Sequence, residues 1–573
     1  MEQPELLEAA VVRTWARAAV DALAAARSEL DGVNVFPVAD GDTGTNMFLT
    51  VREAAAAVHA ADAGVSAARL LRLAARAALL GARGNSGVIL SEWLRGLAVA
   101  ASRRDSLGVG LDVAASSARR AVAHPAPGTI LTAADAAAAA ARHAEAGGMV
   151  GPLGSPERLP VLDAARRGAR EAALRSVGSL APLRDAGVLD AGACGLVLVL
   201  ASLAQAQRHV ADGAPGAHGA ADPAAVSEAA GSMAPVLLDL DLRGWAPTAD
   251  QPPPYAGAVA EPAPGSSDEV ELMFVLHRSA AAEGFRPGAV ADALRADLDE
   301  VGNSVVVVGG GSEGDPGDAV DSLWQAHVHA PDLGEALAVA RRWARRGEIS
   351  HVYVRHLAVP PADWAVVVTT SAPALAGELA RGGAVVLLDL GTAPTVDDLA
   401  QTVFGTGTPH VLVLAGEAFV GPALDAALAA RGEAEAPPVV DVVTVRSDVH
   451  LASAVSALAD AADASGPAGA DLPGVVRSVL GRLRTVRGAA ADVGTLLDDL
   501  VGDGDEAGIV AILPDEDVPP GVVDDLVARA ERATAGADVV VLATGRPGTD
   551  VAVGVEPVDA TEPVLGSSGE GSW

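Results

Sequence analysis

Two aspartates, Asp40 and Asp42, flank one glycine in the stretch NVFPVADGDTGTNM, and Thr43, Gly44, Thr45 and Asn46 lead from them into an alanine-rich helical run. Two carboxylates on one loop can turn toward a single point, and like charges in a confined place are costly unless a cation lies between them. The chemistry that this spacing points to is Mg2+ binding by Asp40 and Asp42. A helix starting near Gly44 or Thr45, capped by Thr43 or Thr45, would aim its free N–H groups at the same region, so that carboxylates hold metal while the helix end holds phosphate. Taken alone, Asp-Gly-Asp is more often only a surface turn. Three further breaks keep it company. GARGNSGVILSE sets Gly84, Asn85, Ser86 and Gly87 before a helix, HPAPGTILT puts Gly128 and Thr129 at another helix start, and DAGVLDAGACG places Asp190, Gly192 and Gly195 before a third. Four such loops in one helical region suggest a nucleotide site built from helix N-termini and metal.

The elements that must carry these loops follow from periodicity. Apolar residues recur at three- and four-residue spacing in Leu7 to Leu30, Phe48 to Ala61, Ala67 to Leu80, Val88 to Ala101, Leu131 to Ala146, Val161 to Ser176 and Gly195 to Val210, which predicts an all-α domain over 1–210. Residues 211–268, dominated by Ala, Gly, Pro and Ser, read as a linker around a short ordered PVLLDLDL. A small α/β domain is expected over 269–358, with strands VELMFVLH, SVVVV, WQAHVHA and HVYVRHL around helices Pro287 to Val301 and Leu333 to Arg346. From 359 to 558 apolar strand-like runs alternate with helical patterns, predicting a C-terminal α/β domain with an open parallel sheet, and 559–573 read as a disordered tail.

Composition narrows the function classes. The 573-residue chain is too long for one core, and its net charge of −34 with a pI near 4.6 repels phosphate backbones and anionic lipid heads, so nucleic acid and membrane surfaces are not expected partners. The single cysteine, Cys194, permits no disulfide framework, and the acidic MEQPELLEAA lacks the pattern of a signal peptide. The longest apolar run, around Ala191 to Ala204, is short for a membrane span and carries glycines, so it reads as a core helix and the protein as cytoplasmic. All 40 basic residues are arginines, which leaves neither a Walker-type loop nor a protein-kinase clamp its lysine. Other motifs are set aside. GGGSEG (Gly309 to Gly314) lacks the helix that a dinucleotide loop needs, VGDGDEAG (Val501 to Gly508) precedes a strand and reads as a solvated loop, and Cys194 has no evident base beside it.

NVFPVADGDTGTNM, GARGNSGVILSE, PGTILT and DAGVLDAGACG, in this order and spacing, resemble the kinase domain of DhaL-type proteins, the L-subunit family of dihydroxyacetone kinases, and in particular the three-domain branch typified by FakA, the kinase subunit of fatty acid kinase. The resemblance implies a helical barrel that binds ATP through two Mg2+ ions. Asp40 and Asp42 then take the metal-ligand and catalytic role. Thr43, Gly44, Thr45 and Asn46 with Gly84, Asn85, Ser86 and Gly87 take phosphate contacts, and Gly128, Thr129, Asp190, Gly192 and Gly195 lie around the nucleotide. A third aspartate of dihydroxyacetone kinases is replaced here by Val35, so Asn34 or water would be the further Mg2+ ligand. The resemblance continues through VGNSVVVVGGG, WQAHVHAPDLGEAL and TGRPGTDVAVGVE. In the central domain it implies a zinc site. His327 and His329 share one face of a strand, and Glu271 stands at about the place of the family's cysteine; the alternative is a pair of half-buried histidines without metal.

The C-terminal domain departs from the branch, reading LDLGTAPTVDD (Leu388 to Asp398) and LAGEAF (Leu414 to Phe419) where the family has other motifs. The activity implied is ATP-dependent phosphorylation of a fatty acid, carried by a separate lipid-binding protein, to an acyl phosphate, with a homodimer as a further expectation. The rivals are a dihydroxyacetone-like small-molecule kinase and a non-catalytic regulator that has kept the fold.

Overall fold

The structure, a computed structural model, describes residues 6–147, 158–212, 269–279, 287–310, 321–357, 364–432, 437–465, 471–501, 507–534 and 536–557. The expected linker at 211–268, apart from its first two residues, and the tail at 559–573 lie outside them, as does the turn of VGDGDEAG.

The N-terminal region is helical. Helices α1 (Ala9–Asp31), α2 (Thr43–Ala60), α3 (Ala67–Gly81), α4 (Gly84–Arg103), α5 (Leu107–Ala121), α6 (Ile130–Ala146), α7 (Arg158–Arg175) and α9 (Ala191–Ala211) enclose one core, and the short α8 (Ala181–Ala186) packs its Leu183 in a small separate cluster with Val33 and Val188. Periodicity foretells most of them but neither the six-residue α8 nor α5, whose sequence LGVGLDVAASSARRA mixes glycine and serine into the apolar stripe. The glycines are there for packing. A Cβ on Gly110 would stand 2.6 Å from a methyl of Leu6, and one on Gly96 of α4 would stand 2.6 Å from the Cα of Ala114 in α5. Small residues thus bring the axes close, and the few large side chains fill what remains. Trp15 and Trp93 meet edge to face at 6.5 Å between centroids, and the Trp15 indole donates to the Val199 carbonyl at 2.9 Å. Among the described residues α9 is the one helix long and apolar enough to cross a membrane, and most of it is buried inside this core.

The remainder is α/β, and its sheet corrects one expectation. The central strands β1 (Val270–Ser279), β2 (Asn303–Gly309), β3 (Asp321–Ala330) and β4 (Glu348–His356) pair antiparallel, with helices α10 (Pro287–Asp299) and α11 (Leu333–Ala344) on one face. Of GGGSEG, Gly309 ends β2 and Gly310 follows it, while residues 311–314 lie outside the described residues. The sheet does not end at residue 358. Strand β6 (Ala384–Leu388) adds antiparallel to the open edge of β4, and β5 (Trp364–Thr370), β7 (His410–Ala415) and β8 (Val439–Thr444) extend it in parallel, giving one eight-stranded sheet in the order β2-β3-β1-β4-β6-β5-β7-β8. An unpaired β4 edge would have left a row of backbone donors and acceptors exposed. The last strands, β9 (Arg484–Ala489), β10 (Ala507–Pro514), β11 (Asp538–Val541) and β12 (Asp550–Pro557), form a second, mixed sheet in the order β11-β10-β12-β9. The C-terminal region is therefore not a single open parallel sheet.

Strand alternation decides what the large sheet touches. Leu272, Phe274, Trp324 and Val328 point into the core under α10 and α11, whereas Met273, Val306 and Tyr353 on the opposite face join the core of the helical domain. The join is also polar. Val122 forms a β-bridge with Val306, Ala123 N–H donates to the Val305 carbonyl at 3.0 Å, and Gln401 donates to the Leu80 carbonyl at 2.7 Å. One face of the sheet is thus laid over the helical domain. Replacing Gly96 by Val should lower stability by about 2 kcal/mol through overpacking against α5, whereas Gly481→Ala, where no atom lies within 4 Å of the new Cβ, should raise it by about 0.5 kcal/mol; thermal unfolding of the two variants reads both signs.

Candidate active site

The loop after α1 and the turn before α4 meet beneath the sheet. Asn34, Pro37, Val38, Asp40, Asp42, Thr43, Asn46, Gly84, Asn85 and Ser86 from the helical domain close a cleft with Glu271, His329 and Arg355 from the sheet. Two groups of residues that lie far apart in the chain, the aspartate pair and Glu271 with His329, are walls of one cleft.

Each aspartate is held by an amide on one oxygen. Asn34 Nδ2 donates to Asp40 Oδ1 at 2.7 Å, and Asn46 Nδ2 donates to Asp42 Oδ1 at 2.7 Å. The Asn34 carbonyl oxygen accepts from Thr43 Oγ1 at 2.9 Å, so in this arrangement Asn34 orients Asp40 rather than standing free as a ligand. The two remaining oxygens converge on Arg355, whose Nη2 lies 3.2 Å from Asp40 Oδ2 and 2.5 Å from Asp42 Oδ2, while its Nε donates to Glu271 Oε2. Only 10% and 13% of the two aspartate side chains are exposed. Burial, and next the Asp42 charge, hold the Asp40 carboxyl well above the usual carboxylate range. A set of hard oxygens so confined suits a small divalent cation.

The neighbouring set is drier. Glu271 faces His329 across β1 and β3, and His327 lies one pair further along on the same face, opposite Met273. The ligand atoms of Glu271, His327 and His329 lie within 4.8 Å of one another, and all three residues are buried. Glu271 Oε1 stands 3.2 Å from His327 Nδ1 without hydrogen-bond geometry, and Glu271 Oε1, both His327 nitrogens and His329 Nδ1 are buried without a hydrogen-bond partner. Orphaned buried donors and acceptors are rare, and an ion is one of the things that resolves them. Burial is the largest influence lowering both imidazoles to about 3, so they are neutral at physiological pH, the state in which histidine ligates metal.

The other expected residues divide. Gly84 takes a positive φ of 55°, and a Cβ there would lie 2.2 Å from Asn46 Nδ2, so glycine is required for the turn to reach the cleft. Asn85 and Ser86 line it, and Thr43 Oγ1 lies 3.4 Å from Ser86 Oγ. Thr45 does not line it. Its backbone N–H and its hydroxyl both donate to Asp31, at 2.9 and 2.7 Å, and its hydroxyl accepts from Arg27. Gly44, Gly87 and Gly195 are packing positions, where a Cβ would strike the Arg27 carbonyl, Thr50 Oγ1 and Met47 Sδ at 2.4 Å each. Gly128 and Thr129 stand at the start of α6, outside the cleft wall. Asp190 ties that start to α9, for its carboxylate accepts from Ala193 N–H at 2.7 Å and from Ile130 N–H, and Gly192 lies beside Ser86 and Ile130. Cys194 is buried in α9, its thiol pushed up by burial, as befits a packing residue.

Sequence reasoning missed Arg355. A single arginine in HVYVRHL carries no spacing signal, and its meaning comes from β4 lying beside β1, which sets Arg355 opposite Glu271. Asp31 was missed likewise, although its place at the end of α1, just before the loop, hinted at a role in holding the start of α2.

The comparisons with known proteins agree with this layout. Residues 37–205 match the profile of the DAK2 domain, and residues 269–359 match that of the FakA-like middle domain of fatty acid kinase. The helical domain is thus of the DhaL type, a kinase-family domain. The chain thus carries a DAK2 domain followed by a FakA-like middle domain. An uncharacterized protein of Staphylococcus haemolyticus is 35% identical over 176 residues, 30% of either chain, and Protein YloV of Bacillus subtilis is 25% identical over 412 residues, 68% of this chain and 66% of that one. The chain therefore spans under a third of the length of the staphylococcal relative. Among solved structures, the dihydroxyacetone kinase of C. freundii in complex with AMP-PNP and Mg2+ is 19% identical over 34% of each chain with a TM-score of 0.27, too slight a likeness to argue from.

Burial lifts the Asp190 carboxyl from 3.8 to about 7. The folded chain therefore binds a proton there that the unfolded chain has released, so this group's contribution to stability is greatest below its unfolded pKa and declines as pH rises toward 7. Asp190→Asn, which keeps an N-cap acceptor for Ala193 N–H, should flatten that decline in a series of melting curves between about pH 4 and 8.

Proposed function

We propose that the chain is an ATP- and Mg2+-dependent phosphotransferase, the kinase subunit that phosphorylates a fatty acid presented by a separate lipid-binding protein and yields an acyl phosphate. The single observation that supports it most is the cleft of a DAK2 domain in which Asp40 and Asp42 converge beside the Gly84–Ser86 turn. Asp40 and Asp42 would hold Mg2+, with two ions expected, and bound Mg2+ supplies charge neutralisation at the transferring phosphoryl group. The protein's own part is positional. Asn34 and Asn46 fix the carboxylates, and the start of α4, whose N-cap Arg83 makes no side-chain capping bond, leaves amides for phosphate. The match to the FakA-like middle domain supports the acyl acceptor and its carrier. Glu271, His327 and His329 would hold zinc in a structural role, a reading supported by their orphaned ring nitrogens. A cytoplasmic location is part of the same reading.

Calorimetric titration with ATP in the presence and absence of Mg2+ tests the site. Wild-type binding should require Mg2+ and should be lost when Asp40 and Asp42 are both changed to Asn, with the fold intact by circular dichroism. ADP formation should then depend on a lipid-loaded carrier; turnover with free dihydroxyacetone instead would favour the small-molecule reading. Val35 at the third-ligand position favours a second reading, a non-catalytic regulator, which predicts nucleotide binding with no ADP under any acceptor. Metal analysis of the purified chain should find about one zinc per chain, lost in His327→Ala.

A further inference from the structure

All four oxygens of the aspartate pair are engaged. Asp40 Oδ1 and Asp42 Oδ1 accept from Asn34 and Asn46, both amides being supplied by the helical domain itself. The two Oδ2 atoms point at one place, and that place is filled by Nη2 of Arg355. A divalent cation shared by both carboxylates is best met by the two Oδ2 atoms, which converge, whereas each Oδ1 has already given one lone pair to its amide. Ion and guanidinium therefore require the same ground. The space left beside them is about 20 Å³, room for one water or one ion, whereas a drug-sized ligand occupies a pocket of roughly 300 Å³ or more. The residue that fills the ground belongs to the sheet, not to the helical domain, and its Nε is anchored on Glu271.

We propose that Arg355 is a further positioning residue of this site, a cation lent by the middle domain that competes with the divalent ion for Asp40 and Asp42 and holds the cleft shut until the ion displaces it. The inference rests on the proposed metal site at the aspartate pair but needs neither nucleotide nor acceptor. It also joins the two halves of the cleft. Glu271 gives one oxygen to Arg355 and turns the other toward His327, so the guanidinium is the link between the aspartate pair and the histidine set. Tyr353, two residues before Arg355 on β4, lies under the Arg83 guanidinium at 5.1 Å, a second cation contact across the same join.

The test is titration of the full chain with Mg2+ alone, a hard cation that disfavours imidazole, followed by calorimetry and by melting temperature. The proteins compared are wild type, Arg355→Gln, Arg355→Lys and the Asp40→Asn, Asp42→Asn double variant. Competition predicts that Arg355→Gln binds Mg2+ about tenfold or more tightly than wild type, melts lower without metal because Asp40, Asp42 and Glu271 lose their counter-charge, and regains melting temperature on adding Mg2+. Arg355→Lys keeps the charge but loses the fork, and should lie between the two; if the glutamine variant fails to fold, the lysine variant carries the comparison. Mg2+ affinity equal to or below wild type in a folded Arg355 variant overturns the competition and leaves the metal site standing. If wild type and Arg355 variants alike bind no Mg2+, or bind it undiminished in the aspartate double variant, the metal site itself is wrong and the competition falls with it.

Discussion

One cluster of charge holds the molecule's two halves to a common purpose. Arg355 reaches from β4 to Asp40, Asp42 and Glu271 at once, in a cleft where three carboxylates would otherwise face one another with little water between them. Removing one partner from such a cluster leaves charge uncompensated, which is why breaking a buried ion pair costs more than making it gains. The sheet's register serves this contact. Glu271 must lie opposite His329 on one side and Arg355 on the other, and a slip of one residue on β1 would turn it into the core beneath α10 and α11.

The helical domain solves a different problem, which is to bring loops together without large side chains. Its core is built mostly of alanine and leucine, with glycine where helices cross most closely, as at Gly96 against Ala114 and Gly168 against the Ala136 carbonyl. Short side chains allow close axes, and close axes bring the starts of α2 and α4 to one cleft. Asp190 performs the same service for α6 and α9, accepting an N–H from the first turn of each. Several glycines in the loop motifs thus act through packing, and only some act through access to a ligand.

The interface between the halves combines apolar and polar joins. Met273, Val306 and Tyr353 enter the helical core, while Arg27 donates to the Gly407 carbonyl at 2.5 Å and Arg431 pairs with Glu53 at 3.0 Å. Arginine suits this duty because its planar fork can bond and stack together, as Arg52 does over Phe48 and Phe404. A chain without lysine uses guanidinium both to fasten domains and to neutralise its site.

Local information is what the chain carries openly. The three- and four-residue recurrence marks most helices, the apolar runs mark β1 to β8, β10 and β11, and the loop motifs mark Asp40, Asp42 and the Gly84–Ser86 turn, because each of these depends on residues close in sequence. Helix α5 escaped because its glycines serve crossings that no local pattern reveals, and β9 escaped because RTVRGA is polar and short. The His327–His329 pair was legible from the period of a strand. That His329 shares a cleft with Asp40 and Asp42 was not, since the loop and the strands that build that cleft are separated by a long stretch of chain. Tertiary structure alone decided that β6 would continue the middle domain's sheet, that Thr45 would serve Asp31, and that Arg355 would stand between the carboxylates. The reason is the same in each case: pairing, burial and charge compensation are settled by whichever surface arrives opposite, and no stretch of sequence states its partner.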